Sequence, residues 1–111
     1  MSYNEKAQEI RNEARTLYKA LPEVMTAFQG VMRAASKDGA VSARIKELTA
    51  LAIAVTARCE GCIVFHVQNA IRHGATREEL TEMLAIAIEM GGGPATVYGA
   101  KALTAFDELS T

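Results

Sequence analysis

Apolar residues along this chain recur at intervals of three and four, and no stretch between turn signals alternates strictly over four or more residues. That rhythm predicts helices and argues against strands. A first, polar helix covers about Asn4 to Lys19, with a thin apolar stripe at Ala7, Ile10, Ala14, Leu17 and Tyr18. Pro22 suits the first turn of a second helix, Pro22 to Ser36, whose inward face would be Val24, Met25, Phe28, Val31, Met32 and Ala35. Lys37-Asp38-Gly39 ends it, and Ser42 can cap a third helix over about Ala43 to Ala57. From Leu48 to Ala57 that helix carries no charge and has Leu, Ile and Val on all sides, which predicts a central, buried position. A fourth helix runs from near Cys59 to about His73, where Gly74 can stop it. Thr76-Arg77-Glu78-Glu79 has capping-box spacing and starts a fifth helix, to about Met90. Gly91-Gly92-Gly93 reads as a flexible break, and Pro94 opens a sixth helix to about Leu109. The expected fold is an all-α bundle of about six helices, a single domain over residues 1–111.

Composition narrows this picture. Half of the 111 residues are hydrophobic but only 5% are aromatic, so the core must be built from Ala, Leu, Ile, Val and Met. A chain this short buries a modest share of its surface, and association with copies of itself would add stability. Twelve basic residues against thirteen acidic ones leave a net charge of −1 and no basic patch, so nucleic acid is not an expected partner. The glycine run lacks the spacing and the preceding strand of a dinucleotide fingerprint. MSYNEKAQEI has no apolar region of a signal peptide, and no apolar run approaches the roughly 18 residues that span a bilayer. The expected location is the cytoplasm, where a lone cysteine pair is not expected to be a permanent structural disulfide.

That pair, Cys59 and Cys62, lies in TARCEGCIVFH with His66. On a helical wheel the three fall within about 60° of one another, and Asn69, Ala70 and His73 extend the stripe. Ile63, Val67 and Ile71 form the adjoining apolar face, so the stripe borders the core. Exposed N–H groups and the helix dipole at a helix start favour a thiolate, the reactive form of cysteine. His66 stands one turn after Cys62 and can take its proton. Glu47 precedes the uncharged run of the third helix, where a buried carboxylate needs partners. If the third and fourth helices form a hairpin, Glu47 lies about 15 Å from the turn and His66 about 10 Å, at 1.5 Å per residue. That offset predicts a water between them, in a Glu–water–His–Cys relay.

Three readings stay open on these residues alone: thiol redox chemistry, zinc, and inert core. Zinc would need four ligands, and Cys59, Cys62, His66 and His73 supply the number. However, they lie on one straight stripe about 20 Å long, which cannot surround an ion. His73, beside Gly74, is more simply a C-terminal residue that suits the helix dipole. Glu47 paired with Arg44, three residues earlier, is the plain alternative to a catalytic carboxylate.

Glu47, eleven residues, Cys59-x-x-Cys62-x-x-x-His66, and then Gly74-Ala75-Thr76-Arg77-Glu78-Glu79-Leu80 together resemble the core of the carboxymuconolactone decarboxylase / AhpD-like superfamily. The resemblance covers roughly residues 41–106. It implies an all-α fold and a homo-oligomer, commonly a trimer or hexamer. One branch of the superfamily, AhpD, comprises thiol enzymes that reduce alkyl hydroperoxides and carry this cysteine pair. The other acts on an aromatic-catabolism lactone and typically lacks the pair. The resemblance implies Cys62 as the peroxide-attacking thiolate, Cys59 as the resolving thiol, His66 as proton relay and Glu47 acting through it. Some AhpD enzymes have a histidine between the cysteines, where this chain has Gly61.

The expected activity is therefore thiol-dependent reduction of a small hydroperoxide. An outside dithiol, of lipoyl or thioredoxin type, would be the reductant, with no flavin, haem or metal cofactor. Exposure at a helix start favours Cys59 as nucleophile, whereas His66 favours Cys62. Two other outcomes remain: a decarboxylase-like lyase acting on a small carboxylated ring compound, and a non-catalytic oligomer that responds to oxidant.

Overall fold

The computed structural model describes residues 1–111 as six helices: α1 (Tyr3–Ala20), α2 (Pro22–Ala35), α3 (Ala43–Thr56), α4 (Glu60–Arg72), α5 (Arg77–Gly91) and α6 (Gly93–Leu109). Their starts follow local chemistry. Ser42 accepts the Ile45 N–H, and Thr76 and Glu79 form a reciprocal capping box. Ser2 and Glu5 form a second capping box at the start of α1. The all-α expectation holds, and helix limits agree within one or two residues.

α3 lies at the centre and packs against α4, α5 and α6. Its Leu48, Leu51 and Val55 meet Ile63, Val64 and Val67 of α4 and Leu80 of α5 in one core. Each fully buried aliphatic side chain of this kind contributes about 1.5–3 kcal/mol. Alanines do much of the rest: Ala70, Ala102 and Ala105 are fully closed off, which lets the helices approach closely. α3 is not apolar-buried on all sides, because Ile53 faces outward at 62% exposure. An uncharged run shows that a helix carries no charge, not that every face has a neighbour.

Three further expectations change. α2 packs against α1 alone, and none of its residues is buried. Val24, Phe28 and Val31, read as inward, are exposed. Their period is helical, but no element of this chain covers that face. α1 instead docks by its first turns, through Tyr3 and Ala7, while Ala14 and Leu17 stand exposed. The glycine run is a tight joint rather than a flexible break. Gly91 ends α5 within close range of Thr56, where an added Cβ would sit 3.1 Å from the threonine Cγ2, and only Gly92 separates the two helices.

Candidate active site

α3 and α4 form an antiparallel hairpin whose turn is built by backbone hydrogen bonds. The Arg58 N–H donates to Val55 O at 3.2 Å, and the Cys59 N–H to Ala54 O at 3.1 Å. This is the Schellman pattern, which requires a left-handed residue after the helix cap. Arg58 fills that position with φ 58°, the only non-glycine residue of the chain with positive φ. Such a conformation costs about 1–2 kcal/mol for a residue with a Cβ. The turn delivers Cys59 to the N-cap of α4, where its sulfur accepts the Cys62 N–H at 3.2 Å.

Cys59 and Cys62 are joined in a disulfide. Cys62 is exposed and Cys59 half-buried, the reverse of the expectation that exposure favours Cys59. The cause is the cap itself: Cys59 turns back over the first N–H groups, while Cys62 sits a turn later on the outer edge. α1 and α6 hold this end of α4. Glu60, between the cysteines, takes Lys6 Nζ at 3.0 Å and Lys101 Nζ at 3.5 Å. The Lys6 ammonium, aided by Lys101, holds the Glu60 carboxyl below the usual carboxylate range. Gly61 packs near Ile10 of α1.

One turn deeper, Glu47 of α3 is 4% exposed and its Oε1 meets two groups of α4. His66 Nδ1 lies at 3.2 Å and Asn69 Nδ2 at 3.0 Å. The expected bridging water is thus replaced by a direct contact. An axial offset of about 5 Å is under one helical turn, and two long side chains close it. Glu47 does not pair with Arg44, which reaches Glu79 Oε2 at 3.5 Å. His73 is exposed at the C-cap of α4 and takes no part in this cluster. No three His, Cys, Asp or Glu side chains converge as metal ligands would.

The stripe Cys59, Cys62, His66 therefore borders the core as the wheel placed it. Asn69 lies on that stripe in the sequence but carries no expected partner there; its place one turn after His66 is the signal that could have found it. Lys6 and Lys101 carried no signal, because long-range ion pairs depend on the packing of α1 and α6. A groove of about 410 Å³ between α3 and α5, lined by Ile45, Leu48, Glu79, Glu82, Met83 and Ile86, includes neither cysteine. Chemically, the site offers an exposed cysteine bonded to a half-buried one and, one turn on, an imidazole backed by a buried carboxylate.

Known proteins resemble this chain in sequence and in fold. The sequence profile of the carboxymuconolactone decarboxylase family matches residues 22–105. An uncharacterized protein of Cupriavidus necator is 53% identical over 102 residues, 92% of this chain and 90% of that protein. The fold matches the apo crystal structure of a carboxymuconolactone decarboxylase family protein from Legionella pneumophila, with TM-score 0.94 and 45% identity, over 98% of this chain and 97% of that one. It also matches a family protein from Thermotoga maritima for which a part in the antioxidative response has been suggested. There the TM-score is 0.80 and the identity 26%, over 91% of this chain and 89% of that one.

Proposed function

The chain belongs to the carboxymuconolactone decarboxylase family, and on that premise we propose that it is a thiol-dependent hydroperoxide reductase cycling through Cys59 and Cys62. The observation that carries this reading is the Cys59–Cys62 disulfide at the start of α4, with the exposed Cys62 one turn ahead of the Glu47-bonded His66. In the reduced protein His66 takes the Cys62 proton. The thiolate sulfur attacks the terminal peroxide oxygen, the O–O bond breaks, and the alkoxide leaves as alcohol with the proton from His66. Cys62 is then a sulfenic acid. The Cys59 thiol condenses with it, forming the disulfide and releasing water. An outside dithiol of lipoyl or thioredoxin type reduces the disulfide by exchange and is itself oxidised. Cys62, the exposed cysteine, is the one that such a reductant reaches. No flavin, haem or metal enters this cycle.

The test is peroxide loss from a hydroperoxide and a dithiol, followed for the parent, each single Cys→Ser variant and the double variant. Cys62→Ser should abolish turnover. Cys59→Ser should still consume about one equivalent of peroxide and stop at a trappable sulfenic acid. Retained reactivity in Cys62→Ser, lost in Cys59→Ser, would reverse the two roles. Turnover of a carboxylated ring compound that survives loss of both cysteines would replace this reading with a lyase. A disulfide that forms with oxidant without turnover would make the protein a responder and not an enzyme.

The same reading includes a homo-oligomer, a trimer or hexamer. Its support is the open apolar face of α2, where Phe28 is 58% and Val31 63% exposed, since a 14-residue helix packed on one neighbour gains stability from cover. Phe28→Asp with Val31→Asp should lower the mass measured by light scattering; an unchanged mass would show that copies do not meet there.

A further inference from the structure

We propose that Asn69 is a positioning residue that, through Glu47, fixes which nitrogen of His66 carries the proton. Arg72, Asn69, Glu47 and His66 form a chain of hydrogen bonds whose direction is set at one end. A guanidinium donates and never accepts. Arg72 Nη1 donates to Asn69 Oδ1 at 3.1 Å, so the amide oxygen faces Arg72. The Asn69 NH₂ must then face Glu47, and Nδ2 lies 3.0 Å from Oε1. The opposite amide orientation would set two acceptors against each other on the Glu47 side and two donors on the Arg72 side. Both contacts therefore select the same orientation.

A carboxylate oxygen has no hydrogen to give, so every bond to Glu47 Oε1 must be donated to it. Asn69 fills one direction at that oxygen, and His66 Nδ1, at 3.2 Å, must donate in the other. The neutral imidazole is then held as the Nδ1–H tautomer. Its Nε2 is left with a lone pair, the form that can receive a proton from a thiol. Asn69 does this work because Glu47 is buried and its carboxylate would otherwise be free to turn about its last bond. With the amide anchored at both ends, Oε1 stays opposite Nδ1. Removing the amide leaves Glu47 with one fixed donor, and the imidazole can exchange between tautomers. The use of the free Nε2 by Cys62 rests on the peroxidase reading above, whereas the tautomer itself does not.

The test uses the full chain labelled with 15N-histidine, with ring nitrogens read by two-bond NMR correlation. His73, exposed and outside the cluster, is the internal reference. In the parent, His66 should show a protonated Nδ1 and an unprotonated Nε2. In Asn69→Ala the two nitrogen shifts should move toward each other as tautomers mix, with His73 unchanged, and Asn69→Gln should move them partly back. In the reduced protein, alkylation of Cys62 at neutral pH should slow roughly tenfold in Asn69→Ala, the factor that one lost hydrogen bond to a charged group corresponds to. An Nε2–H tautomer in the parent overturns the proposal even if no variant folds. So does an Asn69→Ala protein whose His66 shifts match the parent. Should the tautomer behave as stated while peroxide is not consumed, the positioning stands and the peroxidase reading falls.

Discussion

At the start of α4 the Glu60 carboxylate stands half-buried between two ammoniums, Lys6 at 3.0 Å and Lys101 at 3.5 Å. Midway along the same helix the Glu47 carboxylate, reaching across from α3, is closed off from solvent and bonded to an imidazole and an amide. The first charge is answered by permanent cations from α1 and α6. It is a clamp, holding two helices against the disulfide turn. The second is answered by a group whose charge can change, and a buried carboxylate beside such a group can follow a proton's movement. Position on the helix decides this: the outer end of α4 is within reach of flexible lysines, and the inner part is not. Under the proposed function, two carboxylates against one helix have separate work, one mechanical and one chemical.

The largest expected effect comes from removing the inner carboxylate. Glu47→Ala should slow peroxide turnover about a hundredfold, the lower end of what a positioned acid–base group contributes. It should also cost about 1–3 kcal/mol of stability, because the donors of His66 and Asn69 lose their acceptor. Turnover at saturating dithiol and urea unfolding measure the two. Glu47→Gln keeps the shape and an oxygen that can accept from both His66 and Asn69, but removes the charge, and turnover should fall nearly as far. If Glu47→Gln turned over at the parent rate, the inner site would be mechanical too and the contrast would collapse.

The backbone offers a second way to sharpen the comparison, at about 1 kcal/mol. The turns at the two ends of α4 are the same motif. At the far end the Gly74 N–H donates to Ile71 O at 3.0 Å and the Ala75 N–H to Ala70 O at 2.9 Å, with Gly74 at φ 81°. Gly74→Ala should cost about 1 kcal/mol and leave turnover unchanged, while Arg58→Gly should gain up to about 1 kcal/mol. Thermal unfolding measures both. A gain in stability with slower turnover would show that the Arg58 side chain helps the thiol chemistry. Local departures of this kind gather at functional sites.

How much of this the sequence disclosed depends on the range of the interaction. Helix starts at Ser42 and Thr76 and the stop at Gly74 were legible because caps lie within a few residues of what they cap. The stripe of Cys59, Cys62 and His66 was legible because it is one face of one helix. Contacts between helices were not. Glu47 and His66 were paired by spacing, but their direct bond depends on how α3 and α4 nest. The outward face of α2 was misread because periodicity tells which residues share a side and not what covers it. Lys6 meets Glu60 across 54 positions, a contact that only the docking of α1 creates.

The smallest effect belongs to the outer carboxylate and carries a sign. Lys6, hydrogen-bonded to Glu60, lowers its folded-state pKa below 4.5, opposed in part by burial. A depressed carboxylate stabilises the fold above its unfolded pKa, and that share is lost as pH falls through the lower folded value. Glu60→Gln should therefore be less stable than the parent at neutral pH, by no more than about 1 kcal/mol given partial exposure and solvent screening. The difference should shrink once pH drops below about 4.5 and vanish at the acid end of the fold's range. Molar salt at pH 7 should shrink it as well, since charges near the surface are screened. Thermal unfolding across pH and salt measures this, with turnover at neutral pH as the control. A clamp predicts parent-like turnover wherever the variant remains folded. If Glu60→Gln lowered turnover as far as Glu47→Gln, the lysine-bound carboxylate would be part of the chemistry, and the two ends of α4 would form a single site.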